Sequence, residues 1–446
     1  MLQKIYDHSP IFLQNLMVST QGWRFQKERY NKEYYKELEH LRTIDNEFDI
    51  QEVRLNEFIN FIKKNSLYYN NLFYNLPDYF TIENLKLLPY LDKETIRENI
   101  SNMTTRKANL IKMGTGGSTG KSLVYYTHKN DISRKIAYLD FYKEKHGVKK
   151  GMRRVSIGGR VLVPNKQKRK IFWRFNKPLN QLLLSAYHAD DENLIYYINK
   201  LNKFKPQTID GFTTTIHRLS LYILNNNLKL SFTPITIFPT AEALTPQMKE
   251  DIEKAFGCPV RNQYASSEGA PFITENIEGN LEINPATGVF ELEHVQNNIY
   301  ELIVTGFYTT TTPILRYRIG DSVELECELP ENYSQKDIKI KRIIGRNNDF
   351  LYSNERGIVT NVNLSTVIKA GGTDIIDSQF IQNQIDQLNI NLVIDKNANK
   401  NLIEKKLSNA LATRFGNSTS YIFNYVESIE KTAGGKTRFT INNLKK

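Results

Sequence analysis

The stretch Met113-Gly114-Thr115-Gly116-Gly117-Ser118-Thr119-Gly120-Lys121-Ser122 decides how the chain is read. Four glycines among hydroxyl residues make a loop dense in backbone N–H groups, suited to wrapping an anion such as a polyphosphate. A Walker loop needs glycine, four residues, then Gly-Lys-Ser/Thr. That spacing puts Thr115 where the first glycine belongs and leaves Gly114 one residue too far away. The flank argues the same way. A Walker loop runs from a buried strand into a helix, whereas Leu123-Val124-Tyr125-Tyr126-Thr127 reads as a strand. The loop is expected to join two strands as a phosphate-gripping hairpin.

Working outward, the next informative stretch is Ile235 to Pro246, then a helix from Pro246 to Phe256 closed by Gly257, then Val260 to Gly269. A buried strand ends in Thr240-Ala241-Glu242, and a further strand would deliver Asn262, Tyr264, Ser267 and Glu268 to its C-terminal end, where α/β sheets bind ligands. Glu268 follows two hydroxyl residues and precedes a glycine. A carboxylate in that setting can hold a divalent metal on a phosphate. Arg316 to Asp321 reads as a strand that ends on a glycine and an acid, and such an acid can accept both hydroxyls of a ribose.

Alternation of strands and helices from Asp131 to Phe256 argues a doubly wound α/β body. Within it, residues 151 to 163 read as strand, Gly-Gly, strand, and later residues 314 to 317 read as a strand. Residues 1 to about 100 read as helical, with Phe58, Ile59, Phe61 and Ile62 on an amphipathic spacing and a capped helix after Pro89. The likeliest domain boundary is Gly345-Arg346-Asn347-Asn348-Asp349, after which short strands and one helix suggest a small α+β domain. Near its end, Lys436 stands on a flexible Gly-Gly tip.

At 446 residues the chain is too long for one core. With 40% hydrophobic and 24% charged residues it fits a soluble globular protein, no stretch approaches the length of a transmembrane helix, and a cytoplasmic location is expected. Cys258 and Cys327 are the only cysteines, too few for a disulfide framework or a Cys-rich zinc site. The net charge is +12, and Lys149 to Lys177 holds eleven Lys or Arg and no Asp or Glu. That segment is either a solvated basic face or a docking surface for an anionic substrate, cofactor or lipid headgroup.

In order and spacing these stretches resemble the adenylate-forming superfamily of acyl-CoA synthetases and adenylation domains, in its phenylacetate-CoA ligase-like branch. Within that branch the chain is most similar to capsular polysaccharide biosynthesis proteins, which also have a helical lead-in carrying a Tyr-Tyr like Tyr68-Tyr69 ahead of Leu88-Pro89. The resemblance implies a large multi-layer α/β N-terminal domain (1–345) and a small mobile α+β C-terminal lid domain (346–446). It puts the phosphate loop on Thr115, Gly116, Gly117, Ser118, Thr119, Gly120 and Lys121, and the adenine-side segment on Thr240, Ala241 and Glu242. The Asn-x-Tyr-Gly-x-Thr-Glu motif falls on Asn262 to Glu268, with Ala265 and Ser267 replacing Gly and Thr. Tyr264 would then stack on adenine, Ser267 lie near the α-phosphate and Glu268 hold magnesium. Asp321 matches the acid on the ribose, Arg346 the arginine after the hinge glycine, and Lys436 the lysine that contacts carboxylate and α-phosphate.

The hinge departs from the family, with Asn348 where Asp or Lys is usual and Asp349 one place later. This puts in question the domain rotation that precedes thioester formation. The implied activity is attack of a small carboxylic acid on MgATP to give acyl-adenylate and pyrophosphate. Transfer to CoA would follow, or to an amine such as that of an amino sugar. Gly158, Gly159 and Arg160, with Gly211 and Phe212, are candidates for the acyl pocket, and His188 and His217 are read as structural. Magnesium and ATP are the expected cofactors, with CoA a further candidate. Nucleic acid is not an expected partner, while peripheral contact with an anionic surface stays open. Two other classes remain: a non-enzymatic polyanion-binding module, and a phosphotransferase that would release ADP rather than AMP.

Overall fold

In the computed structural model, which describes residues 2–444 except 115–122, 159, 161, 165, 166, 168, 347–349, 356, 361–363, 365, 366, 369, 373 and 431–437, the helical lead-in forms as expected. It comprises α1 (Leu2–His8), α2 (Ile11–Arg29), α3 (Lys32–Arg42), α4 (Glu47–Asn65), α5 (Leu67–Leu72) and α6 (Lys93–Met103). Asp92 caps α6 by accepting from the Thr95 N–H at 2.8 Å. Leu55, Phe58, Ile59 and Ile62 of α4 are buried, joining Tyr69 and Ile96 in a core shared with strands more than two hundred residues later.

The glycine-rich stretch does join two strands. β1 (Ile111–Gly114) pairs antiparallel with β2 (Val124–Thr127), Gly114 opposite Val124. The connecting residues lie outside the described ones. The chain then enters α7 (Lys129–Lys145).

A five-stranded sheet follows, built from β3 (Arg154–Gly158), β4 (Trp173–Asn176), β5 (Gln181–Ser185), β6 (Thr208–Phe212) and β7 (Thr236–Thr240), in the order β4-β5-β3-β6-β7. All neighbours are parallel except β4 with β5. β5 is buried at all five residues, as a central parallel strand covered on both faces must be. Its crossover helices are α8 (Asp191–Phe204) and α9 (Thr213–Asn225), and α10 (Pro246–Phe256) follows β7. Gly257, at φ +67°, ends α10 where the sequence placed the stop. The expected second strand after Gly158 does not form: the described residues between 160 and 164 are irregular.

The chain next builds a different sheet. Val260 still bridges Ile237 of β7 in parallel, but β8 (Gln263–Tyr264) pairs antiparallel with β9 (Ile273–Glu275). It opens a seven-stranded antiparallel sheet with β10 (Leu281–Ile283), β11 (Gly288–Gln296), β12 (Ile299–Gly306), β13 (Tyr317–Leu325) and β14 (Ile340–Arg346), in the order β11-β12-β13-β14-β10-β9-β8. So the strand expected to extend a parallel sheet is a two-residue member of another one. The strand expected at 314 to 317 begins only at Tyr317, because Arg316 sits at φ +51° and turns the chain. Asp321 lies inside β13 rather than at its end.

This second sheet curls on itself. β8 and β13 are four strand spacings apart, about 19 Å in a flat sheet, yet the Tyr264 hydroxyl donates to Asp321 Oδ2 at 2.7 Å. Only a strongly coiled sheet brings the two together. Its enclosed face holds Phe290, Leu302, Val304, Tyr317 and Ile319, all buried.

The remaining chain has its own core. β15 (Phe350–Ser353) and β16 (Gly357–Thr360) form a hairpin. β17 (Ile375–Gln384), β18 (Gln387–Ile394), α11 (Lys400–Phe415), β19 (Ser420–Tyr425) and β20 (Thr440–Asn442) complete a four-stranded sheet with a helix on it. Ile403, Leu407, Leu411 and Phe415 of α11 recur every fourth residue and pack on Phe380, Leu388, Ile390 and Leu392.

Gly211 is where the parallel sheet is least tolerant. Its φ is +148°, and a Cβ there would lie 2.1 Å from the Ile157 carbonyl oxygen of β3. Gly211→Ala should cost about 3 kcal/mol or more in chemical denaturation, whereas Gly257→Ala, whose Cβ would meet only Thr233 Cγ2 at 3.9 Å, should cost about 1 kcal/mol. Burial, with the Glu253 charge adding to it, pushes the Cys258 thiol up to about 12, while Cys327 is exposed. Iodoacetamide at mildly alkaline pH, read by mass spectrometry of the native protein, should therefore alkylate Cys327 and spare Cys258.

Candidate active site

The C-terminal ends of β3, β6 and β7 share one edge of the parallel sheet, so Gly158, Gly211, Phe212 and Thr240 are brought together. There Ala241 takes a left-handed φ of +69°. The turn aims Glu242 at the start of α9, where its carboxylate accepts the Thr214 N–H and hydroxyl, both at 2.8 Å. Phe212 at the N-cap has no side-chain oxygen to offer, so Glu242 caps the helix from another segment and offsets its positive end. Arg160 turns away from this edge, its guanidinium 5.4 Å from the ring centroid of Phe25 on α2. His188 meets Ser185 Oγ at 2.9 Å and His217 meets Asp251 at 2.9 Å. Both have ordinary structural partners.

The second wall comes from residues 260 to 269. Asn262 is held through its backbone, its N–H donating to Glu275 Oε2 at 3.0 Å and its carbonyl accepting from the Tyr142 hydroxyl at 3.1 Å. Tyr264 and Asp321 are both buried and share their hydrogen bond. Ser267 donates to Glu268 Oε2 at 3.0 Å. Glu268 is only 4% exposed, so its carboxylate is a buried group rather than a surface one.

Tyr125 ties the hairpin to this wall. It sits on β2, and its hydroxyl donates to the Ser267 carbonyl. Burial pushes that hydroxyl's pKa up, and the neighbouring Glu268 charge adds to the shift. The strand leading out of the glycine-rich connection is thus anchored at Ser267 and Glu268. Arg346, whose backbone closes β14, is the register partner of Asp321. Thr115 to Lys121, Gly159, Asn348, Asp349 and Lys436 lie outside the described residues.

Two features here were not singled out from the sequence. Thr309 to Thr312, between β12 and β13, is strapped to α7. Asp131 accepts the N–H and hydroxyl of both Thr310 and Thr311, at 3.3, 2.5, 3.1 and 2.5 Å. Tyr69 of the Tyr-Tyr pair donates to the Pro313 carbonyl at 2.8 Å, and Thr312 Oγ1 accepts the Tyr126 N–H at 3.1 Å. The second is Lys135, one turn along α7, whose Nζ lies against Gly269, 2.8 Å from where a Cβ would stand. Burial lowers its pKa while the charges of Asp131 and Glu268 pull it back up. Its one sequence signal is the i, i+4 spacing from Asp131.

A well-formed cavity lies at the other end of the parallel sheet, by the starts of β3 and β6, lined by Gln26, Lys143, Lys149, Arg154 and Thr208. None of the residues expected in the site lines it.

Three comparisons bear on this arrangement. The CapK C-terminal domain family model matches residues 351–443. Protein CapK of Staphylococcus aureus is 64% identical over 449 residues, covering 100% of both chains. Among solved structures, 2-hydroxyisobutyryl-CoA ligase in the postadenylation state, in complex with R3-HIB-AMP, matches with a TM-score of 0.67 at 13% identity over 88% of this chain and 89% of that one. An open conformation of the same ligase, in complex with 2-HIB-AMP and CoA, gives 0.52 at 13% identity over 87% and 90%. At such identities the solved structures speak for the fold, and that fold is the one the sequence motifs implied. With identity of this extent along its full length to Protein CapK, on the fold of the adenylate-forming ligases, the chain belongs to the CapK family.

Proposed function

We propose that the chain activates a small carboxylic acid with ATP as an acyl-adenylate, releasing pyrophosphate, and passes the acyl group to CoA within polysaccharide or cell-surface biosynthesis. The observation that carries this reading is the meeting of separated segments: Tyr264 on Asp321, and the hairpin strand on Ser267 beside Glu268. The fold shared with CoA ligases and the capsule-type relative support it.

In the first half-reaction a carboxylate oxygen would attack the α-phosphorus and the bond to the bridging oxygen would break, pyrophosphate leaving with the electron pair. The acid is already ionised, so no general base is required, and the protein's task is alignment and charge neutralisation. Tyr264 and Asp321 would hold the nucleoside, with Thr240, Ala241, Glu242 and Asn262 along its base, and Thr115 to Lys121 would grip the leaving phosphates. Lys436 would bridge the carboxylate and the α-phosphate. Glu268, with the Ser267 hydroxyl bonded to it, would hold magnesium. Among the described residues no group of three or more His, Cys, Asp or Glu could hold a metal alone. Bound there, the ion would supply charge neutralisation at the phosphates.

In the second half-reaction the CoA sulfur would attack the acyl carbon, AMP leaving and the thiol proton passing to solvent. An amine, such as that of an amino sugar, is the second reading of the acceptor, favoured by Asn348 at the hinge and by the capsule-type relative. The proposed domains are 1–345 and the lid 346–446, consistent with the separate core of the C-terminal part. Use of ATP and CoA places the reaction in the cytoplasm.

Incubation with a panel of carboxylic acids should yield AMP and pyrophosphate. ADP would mean a phosphotransferase instead, and no nucleotide turnover with tight, salt-sensitive heparin binding a polyanion module. Comparing AMP release with CoA and with amino sugars assigns the acceptor. Lys436→Ala and Glu268→Gln should each slow pyrophosphate exchange into ATP by about 10²-fold or more, with Lys436→Ala leaving nucleotide binding intact. Asp321→Asn should raise KM for ATP about tenfold with kcat largely kept, measured alongside the thermal midpoint. An unchanged KM would remove Asp321 from the nucleotide site.

A further inference from the structure

Surface helices ordinarily turn their apolar stripe inward. α2 also presents an apolar stripe outward. Its packed side combines half-buried Ile11, Val18 and Phe25 with polar ties: Gln14 is buried and accepts from Arg174 Nε at 2.6 Å, Asn15 accepts the Phe175 N–H at 2.9 Å, and Ser19 donates to the Phe175 carbonyl at 3.2 Å. Its outward side carries Phe12, Leu16 and Trp23, 69%, 61% and 56% exposed. At 3.6 residues per turn these three fall within about 40° of one another, forming one continuous stripe. Ile5 of α1 is exposed as well.

The surroundings of that stripe are cationic. Lys27 stands 4.3 Å from the Trp23 ring centroid. Glu28, the one acid between Ile11 and Arg29, is engaged by Arg24 at 2.8 Å. Arg24 and Lys27, both exposed, stand within about 100° of Trp23 around the helix. Aromatic and leucine side chains on one face, rimmed by lysine and arginine, are the chemistry of a helix lying in a membrane interface. Among the described residues no helix is long and apolar enough to cross a membrane.

We propose that the outward face of α2, with Phe12, Leu16 and Trp23 as its apolar stripe and Arg24 and Lys27 as its basic rim, docks the protein onto a membrane surface rich in anionic lipid headgroups. Phosphate groups would meet the cations while the three side chains enter the acyl boundary. The contact is independent of the reaction proposed above and is tested without turnover.

The test is flotation of the full-length protein with phosphatidylcholine vesicles and with vesicles of equal parts phosphatidylcholine and phosphatidylglycerol. The protein should float with the anionic vesicles and not with the neutral ones, and its tryptophan emission should shift to the blue. The triple variant Phe12→Ser, Leu16→Ser, Trp23→Ser should lose about tenfold or more in partitioning while its thermal midpoint stays put, because the three side chains are outside the core. Lys27→Glu with Arg24→Glu should weaken binding to the anionic vesicles alone. Failure of the native protein to float, or a triple variant that floats as well as the native protein, overturns the proposal. So does a dimer in sizing experiments that the triple variant abolishes, since the stripe would then be a contact between two copies.

Discussion

The hydrogen bond between Tyr264 and Asp321 is the constraint on which the site depends. Both groups are buried, and a buried carboxylate without partners is costly. Satisfying it obliges the seven-stranded sheet to curl until strands four places apart in order meet. That curl carries the 260–269 segment, with Ser267 and Glu268 on it, over toward β13. A hydrogen bond to a charged group contributes about 1.5–3 kcal/mol, little beside the apolar core within the same sheet. It serves to select one register and one degree of coiling among those the core would accept.

A second set of ties sets the position of the glycine-rich hairpin relative to that wall. Tyr125 reaches the Ser267 carbonyl from β2, and the Tyr126 N–H reaches Thr312. The threonine run is in turn clamped by Asp131 at the start of α7 and by Tyr69 from the lead-in helices. Helical lead-in, hairpin, α7 and the antiparallel sheet therefore share one polar junction next to Glu268. Lys135 lies within it, its charged form disfavoured by burial and favoured by Asp131 and Glu268.

Much of this was legible in the chain. The failed Walker spacing at Thr115 together with a strand at Leu123 to Thr127 correctly implied a hairpin, because alternation and turn residues are local signals. Pro246 and Gly257 bracketed α10 to the residue, since each acts through its own backbone geometry. The positions of Asp321 and of the 262–268 strand were less legible. Whether a short apolar run joins a parallel or an antiparallel sheet depends on which partner edge is free, and Arg316 at a positive φ delays β13 in a way no propensity signals.

What the sequence determined by itself was the inventory: a glycine-rich loop between two strands, a buried-strand and helix rhythm, an acid after two hydroxyls, and a separate small C-terminal unit. These follow from side-chain period, turn chemistry and composition, all set within a few residues. Only the tertiary structure decided that Tyr264 meets Asp321, that Glu242 caps α9, that Tyr125 is bonded to Ser267, and that α2 faces Phe12 and Trp23 outward. Each of those depends on long-range closure of a curled sheet or on polar partners supplied by a distant segment, and no local pattern encodes a distant partner.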